Sequence, residues 1–150
     1  MNENIKISYP SSDKVYLEGH IYPDLRVGMR KVTLTPTVTV EEKKEIKQEN
    51  SPVMVYDTSG AYSDPNAQID LRKGLPKLRL PWILKREGTE QLPQISSEYG
   101  RMRLADRSLD HLRFEHISLP YRAKKHCKIT QISYAKKGII TPEMEYVAIR

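Results

Sequence analysis

Cysteine is almost absent from this sequence, because the 150 residues include a single one, Cys127. One thiol excludes an intrachain disulfide and any metal site that needs several cysteines. The cations Lys125, His126 and Lys128 surround it, and nearby positive charge stabilises a thiolate. One interpretation is therefore a reactive thiol, but we favour an unreactive cysteine within a basic segment.

Long apolar runs are missing as well. No stretch approaches the ~20 apolar residues that a membrane-spanning helix needs, and the N-terminal residues lack the apolar centre of a secretory signal. Together with the single cysteine, these absences favour a reducing compartment, and we expect a cytoplasmic protein. The polar residues 1–13 predict a flexible leader, and the length of the remainder predicts one domain over 14–150.

Acidic residues are fewer than basic ones: the sequence has 25 Lys and Arg and 19 Asp and Glu, which gives a net charge of +6. A basic chain raises the question of nucleic-acid binding. The sequence contains no zinc-finger spacing, RNP-like aromatic pattern or basic zipper, so a solvated basic surface is the better interpretation. A stand-alone nucleic-acid-binding module remains an alternative function, and a truncated nonfunctional product is another.

Catalytic and metal-binding patterns are also missing. His111 and His116 are five residues apart, which places them off a common helix face, and the four histidines show no metal-like pairing. Asp57 and Ser59 have no histidine close by in sequence, so a hydrolase triad is not indicated. The residues alone predict no catalytic constellation.

What the sequence does contain begins with a small β unit. Apolar residues of high β-propensity predict a strand over 14–21 and a hairpin with the segment that follows. Residues 26–40 predict one long strand or two collinear strands, bent at Pro36 because proline cannot donate a ladder hydrogen bond. The charged stretch 41–50 has almost no apolar residues and predicts a solvated loop.

Helical spacing prevails in the rest of the chain. Residues 67–71 favour a short strand or the start of a helix, and a short broken helix is expected over 75–82, with Trp82 anchoring the core. A further helix is expected over 129–137. The last predicted helix, over 141–150, starts with a capping hydroxyl, a proline and acidic residues near its positive end.

A longer helix is predicted between these segments. Ser96 or Ser97 can cap it, and it would extend to about Phe114. Gly100 costs ~1 kcal/mol relative to Ala inside a helix, so the helix could also start after it. Its expected apolar stripe consists of Tyr99, Met102, Ala105, Leu109 and Leu112.

The most distinctive stretch is PVMVYDTSGAYSDP, residues 52–65. Its first half predicts a strand, 53–56, with at least one buried face, and its second half is a polar turn cluster in which Gly60 permits positive φ. A buried strand that ends in a tight polar loop commonly displays binding groups. An ordinary turn explains the same residues equally well. The candidate contact residues are Tyr56, Asp57, Ser59, Tyr62 and Asp64.

This stretch and four others, in the same order, resemble the N-terminal region of phosphomethylpyrimidine synthases. The pattern of that family reads roughly VYDTSGPYGDP, and here Ala61 and Ser63 replace the usual Pro and Gly. The other matching stretches are RVGMRKVTLTPT (26–37), GLPKLRLPWI (74–83), RLADRSLDHLRF (103–114) and GIITPEMEYVAIR (138–150). The resemblance extends from about residue 14 to the end of the sequence.

The resemblance implies an α+β domain, with a small antiparallel or mixed sheet and several short helices, that precedes a (β/α)8 barrel. Family members are radical S-adenosylmethionine lyases of thiamin biosynthesis that convert aminoimidazole ribotide to hydroxymethylpyrimidine phosphate. The implied cofactors are S-adenosylmethionine, a 4Fe-4S cluster and zinc. The barrel and the three cysteines that hold the cluster would follow Arg150, so we expect no cofactor in this chain and a helix over 141–150 that is cut at the start of the barrel domain.

The expected role is therefore structural, without independent catalysis. The implied partners are the barrel domain of the synthase and a second subunit. In the intact enzyme, the loop over 56–65 is expected to meet the barrel or the other subunit near the active-site entrance. Tyr62 would pack there, and Asp57 would fix the loop through backbone amides.

Overall fold

The computed structural model describes residues 10–41, 44–64, 66–114 and 118–150. The chain divides into two compact units. The first contains Met1–Ala67 together with Pro142–Arg150, and the second contains Gln68–Thr141. Short strands and short helices occur in both, which confirms the α+β class. Predictions for Pro65 and His116 lie outside the described residues.

The described part of the first unit contains five strands, one α-helix and a short 3-10 turn at Gly60–Ser63. The strands are β1 (Ser12–Glu18), β2 (Arg26–Val32), β3 (Thr37–Glu41), β4 (Lys44–Gln48) and β5 (Val53–Tyr56). β1, β2 and β5 make an antiparallel sheet with β2 in the centre, and β3 pairs with β4 in a separate two-stranded ribbon. The helix, which follows the second unit in sequence, spans Pro142–Ile149.

The core of the first unit lies on and beside the central strand. Leu25, Val27 and Met29 are buried, and alternate residues of β2 share one face. Val27 lies opposite Leu17 of β1, and Met29 lies opposite Tyr56 of β5. The predicted hairpin of the first two strands is thus confirmed, although β1 already begins at Ser12, inside the expected leader.

The predictions for this unit hold only in part. Residues 26–40 contain two strands with Pro36 in the segment between them, which is one of the two predicted alternatives, but the two strands belong to different sheets. Residues 44–48, predicted as loop, form β4, because ladder hydrogen bonds to β3 need no apolar face and both strands are exposed. The β5 strand has no buried face, since Val53, Met54 and Val55 are 40–45% exposed.

The second unit is built from short elements. They are α1 (Leu80–Lys85), β6 (Thr89–Gln91), α2 (Glu98–Ala105), β7 (Tyr121–Ala123) and α3 (Gln131–Ala135), with a 3-10 segment at Arg107–Leu112; the helix Pro142–Ile149 of the first unit is α4. β6 and β7 pair antiparallel. Ser97 caps α2 by accepting the Gly100 N–H, as predicted for one of the two serines.

Several details of this unit differ from prediction. Residues 67–71 form neither strand nor helix, and Trp82 is half-buried rather than a core anchor. α2 stops at Ala105, because the Asp106 side chain accepts the Ser108 N–H and starts a separate 3-10 segment. The expected apolar stripe is largely exposed, with Tyr99 at 66% and Met102 at 60%.

Candidate functional site

The loop that follows β5 is organised around the Asp57 carboxylate. Asp57 is buried, and its backbone N–H donates to the Gly28 carbonyl at 3.1 Å, which continues the pairing with β2. One carboxylate oxygen accepts the Ser59 N–H at 2.9 Å and the Ser59 hydroxyl. The other accepts the Ser63 hydroxyl at 2.8 Å. The predicted role of Asp57 in fixing the loop through a backbone amide matches this geometry.

A lysine from the edge strand completes the cluster. Lys14 Nζ lies 3.1 Å from Asp57 Oδ2 and also donates to the Gly60 carbonyl and, at 3.2 Å, to Ser63 Oγ. Burial alone would raise the pKa of Asp57, but hydrogen bonds from Ser59, Ser63 and Lys14 outweigh it and hold this pKa well below its ordinary value. Asp57 is therefore ionised and its oxygens are occupied, so it is suited to holding the loop rather than to general-base catalysis.

A second carboxylate of the loop is held by the same strand. The Tyr16 hydroxyl donates to Asp64 Oδ2, and the Asn66 N–H donates to Asp64 Oδ1 at 2.9 Å. Burial and the bond to Asp64 raise the pKa of Tyr16 to about 12, while the Tyr16 and Asn66 hydrogen bonds lower the pKa of Asp64. The Arg26 guanidinium lies 4.5 Å from the centre of the Tyr16 ring, a cation–π distance.

The helix α4 contacts the start of this loop through tyrosines. The hydroxyls of Tyr56 and Tyr146 are 3.1 Å apart, and their rings meet edge to face with centroids 6.3 Å apart. Arg150 places its guanidinium 4.4 Å from the Tyr56 ring centre. Burial and the bond to Tyr56 raise the pKa of Tyr146 to about 12. Tyr56 thus contributes to an internal contact of the first unit.

Glu145 attaches α4 to the turn after β1. Its carboxylate accepts three successive backbone N–H groups, from His20 and Ile21 on Oε1 and from Tyr22 on Oε2. Burial would raise the pKa of Glu145, and these three bonds outweigh it and lower the pKa. Gly19 permits the close approach, because a Cβ there would come within 2.8 Å of Glu145 Oε2 and 2.3 Å of the Tyr22 carbonyl.

Tyr62 is the candidate residue that the loop does not hold. Its side chain is 58% exposed, while its backbone N–H donates to the Ser59 carbonyl at 3.2 Å in a short 3-10 turn. The five candidate residues therefore lie in three different environments. Asp57, Ser59 and Asp64 belong to the internal network of the loop. Tyr56 contacts α4, and the Tyr62 ring is exposed to solvent.

Sequence reasoning missed three members of the network. Lys14, Tyr16 and Ser63 were not among the candidate site residues, although the alternation of β1 places Lys14 and Tyr16 on one face of the strand. Ser63 stands where the related pattern has Gly, and that departure was the available signal. Its hydroxyl bonds directly to Asp57.

The 4Fe-4S cluster implied by the resemblance does not fit the cysteine content of this chain. A 4Fe-4S cluster held by three cysteines needs thiolates that one exposed cysteine, Cys127, cannot supply. Within the described ranges, no three His, Cys, Asp or Glu side chains come together as a metal site. The helices in those ranges are also too short or too polar to cross a membrane.

A comparison with protein families identifies the unit that carries this network. The model of the ThiC-associated domain matches residues 8–90, more than half of the chain. The chain belongs to the ThiC-associated domain family. The match supports the N-terminal domain of a phosphomethylpyrimidine synthase, as the resemblance predicted, and it links the chain to thiamin biosynthesis. In this ThiC-associated domain, the matched residues include all five strands of the first unit and the whole loop network.

Proposed function

We propose that this chain is a structural domain that packs on the barrel of a phosphomethylpyrimidine synthase and supports the synthase dimer. The synthase would convert aminoimidazole ribotide to hydroxymethylpyrimidine phosphate. Its S-adenosylmethionine, iron–sulfur cluster and zinc would bind outside this chain, and its location would be cytoplasmic. The family match supports the association with a ThiC synthase.

The observation that carries the proposal is a fixed loop with an exposed aromatic residue at its surface. Asp57 and Lys14 hold the loop from within, and Tyr62 is 58% exposed. A side chain presented by a rigid loop loses little conformational entropy on binding, because the backbone is already ordered. Tyrosine is also enriched at protein interfaces, where its ring is buried and its hydroxyl finds a partner.

The neighbouring strand extends this surface. The apolar side chains of Val53, Met54 and Val55 are 40–45% exposed along β5, directly before the loop. Burying such area against a partner is worth roughly 25 cal/mol per Å² before the costs of association. The docking surface proposed for the barrel is therefore defined as β5 together with Tyr62.

A growth experiment tests this function. A thiamin auxotroph that lacks phosphomethylpyrimidine synthase would express the barrel and tail of a synthase without its N-terminal domain. We expect growth without added pyrimidine only when the 150-residue chain is co-expressed. Growth without the chain would show that the domain is dispensable, and no growth with both parts at normal levels would contradict the proposed packing.

The nucleic-acid alternative gains no support from the described residues. Net charge alone, at +6, produces non-specific binding that weakens steeply with salt. The family match points to an enzyme of small-molecule metabolism instead. A truncated nonfunctional product is tested by the same growth experiment, because such a product would not restore growth.

A further inference from the structure

The second unit contains a cavity whose volume is about 100 Å³. A buried water needs roughly 10–15 Å³ of such space, so this cavity has room for several waters or for one tetrahedral oxyanion. Its lining residues are Arg79, Ile83, Arg86, Gly88, Thr89, Ile129, Gln131 and Tyr134. Two of these eight are arginines and none carries a carboxylate, so the lining is positively charged.

One helix provides both arginines. Arg79 precedes α1 and Arg86 follows it, and Ile83 lies between them at steps of four and three residues. That spacing places the three side chains on one side of the helix. The Arg86 side chain also contacts α3, because its guanidinium lies 5.4 Å from the centre of the Tyr134 ring. Two guanidinium forks at one cavity match the geometry of phosphate oxygens.

One residue of this lining, Thr89, has a buried hydroxyl that lacks a partner among the described residues. Thr89 Oγ1 is withdrawn from solvent and makes no hydrogen bond to the described residues. Leaving a buried polar group unsatisfied costs about 1–3 kcal/mol, so such a group in a folded protein calls for an explanation. Because Thr89 lines the cavity, rotation of its side chain would turn this hydroxyl toward an oxyanion bound there, which would accept its hydrogen bond.

The remaining polar lining residue is oriented by a contact of its own. Gln131 Oε1 accepts a hydrogen bond from the Thr141 hydroxyl, which leaves the amide NH2 as a donor for other acceptors. Gly88 keeps the cavity wall compact, because a Cβ there would come within 3.0 Å of Ile129 Cγ2. The polar groups around the cavity are thus mainly donors.

We propose that this cavity binds a phosphate group, held by the guanidinium groups of Arg79 and Arg86 and by the Thr89 hydroxyl. The ligand is either free inorganic phosphate or the phosphate of a small phosphomonoester. This inference concerns the second unit and does not depend on the proposed docking of the first.

Titration of the full chain with phosphate tests the proposal. Amide chemical shifts would be followed during addition of inorganic phosphate, and separately of ribose 5-phosphate, with chloride added to equal ionic strength as the reference. We expect saturable shifts centred on residues 79–89 and 129–134. Equal affinity for both probes identifies a site for the phosphate group alone, and at least tenfold tighter binding of ribose 5-phosphate identifies a phosphomonoester site.

Matched variants distinguish the cavity from the general basic surface. Arg86→Gln and Thr89→Val should each weaken phosphate binding about tenfold or more, while Arg86→Lys keeps the charge without the fork and should give an intermediate loss. Arg107→Gln removes the same charge outside the cavity lining and should bind as the wild type does. Melting temperatures in chloride identify any variant that fails to fold. Equal losses in Arg86→Gln and Arg107→Gln, or unsaturable shifts spread over the surface, would overturn the proposal.

Discussion

Lys14 Nζ and Asp57 Oδ2 are 3.1 Å apart, and both side chains are withdrawn from solvent, with 7% and 4% of their surfaces exposed. The pair joins β1 to the loop that follows β5, although 42 residues lie between the two positions along the chain. A buried pair of this kind is costly to break from one side, because the remaining charge stays in a poorly hydrated place.

The first prediction concerns that pair. Asp57→Asn should lower the free energy of unfolding by about 3 kcal/mol, because the Lys14 charge loses its partner and the serine hydroxyls lose a charged acceptor. Urea unfolding of the two proteins measures the difference. Lys14→Met and the double variant complete a cycle, in which the double variant should be more stable than the sum of the single effects predicts. Simple additivity within about 0.5 kcal/mol would show that the two residues do not interact.

The second prediction follows from the pKa of Asp57. Because this pKa is lower in the folded chain than in the unfolded one, the unfolded state binds more protons as the pH falls. The stability from Asp57 is fully present above about pH 5 and is lost as the pH falls below about 4, the ordinary carboxyl range. Melting temperatures measured between about pH 3 and about pH 7 should therefore decline less steeply at the acidic end for Asp57→Asn than for the wild type. An identical pH profile for both proteins would exclude this contribution.

The third prediction concerns Ser63, one of the two loop residues that depart from the related pattern. Ser63→Ala removes one hydrogen bond to a charged carboxylate and should cost about 1.5–3 kcal/mol of stability. Thr58→Ala is the matched control, because Thr58 is an exposed hydroxyl residue of the same loop and its change should stay within about 0.5 kcal/mol. Equal effects of the two substitutions would contradict the assigned role of Ser63.

The fourth prediction concerns Gly100 inside α2. Helix propensity alone would make Gly100→Ala stabilising by about 1 kcal/mol. A Cβ at this position would, however, come within 2.5 Å of Ile95 Cγ2 and 2.7 Å of the capping Ser97 Oγ. We therefore expect a net loss of roughly 1–3 kcal/mol from overpacking. Gly28→Ala serves as the control, since its Cβ would meet only ordinary contacts at 3.6 Å or more, and a gain in stability at Gly100 would show that the local packing yields easily.

Local signals in the sequence were sufficient for much of the fold. The β1–β2 hairpin, the Ser97 cap and the start of α4 after Thr141 followed from alternation and capping chemistry. These features depend on neighbours in sequence, which is why they could be predicted. The loop after β5 was recognised for the same reason, since its turn residues are contiguous.

Features that depend on distant residues could not be predicted in this way. Lys14 pairs with Asp57 across the sheet, and Glu145 accepts N–H groups from the turn at His20, more than a hundred residues earlier. The contacts by which Glu145 and Tyr146 attach α4 to the rest of the first unit were not predicted either, because their partners, the turn at Tyr22 and Tyr56, lie far away in sequence. β4 was missed because its pairing with β3 uses backbone groups that the side-chain pattern does not reveal.

The central claim, that this chain docks on a synthase barrel through β5 and Tyr62, is tested most directly by sedimentation velocity. The purified 150-residue chain would be mixed with a phosphomethylpyrimidine synthase that lacks its N-terminal domain. The account predicts a complex heavier than either part, and weaker association for Tyr62→Ala, whose own melting temperature should not change because the ring is exposed. Independent sedimentation of the two folded parts would contradict this claim. Undiminished association of both Tyr62→Ala and a second variant, Val55→Asp, which places a charge on β5, would also contradict it.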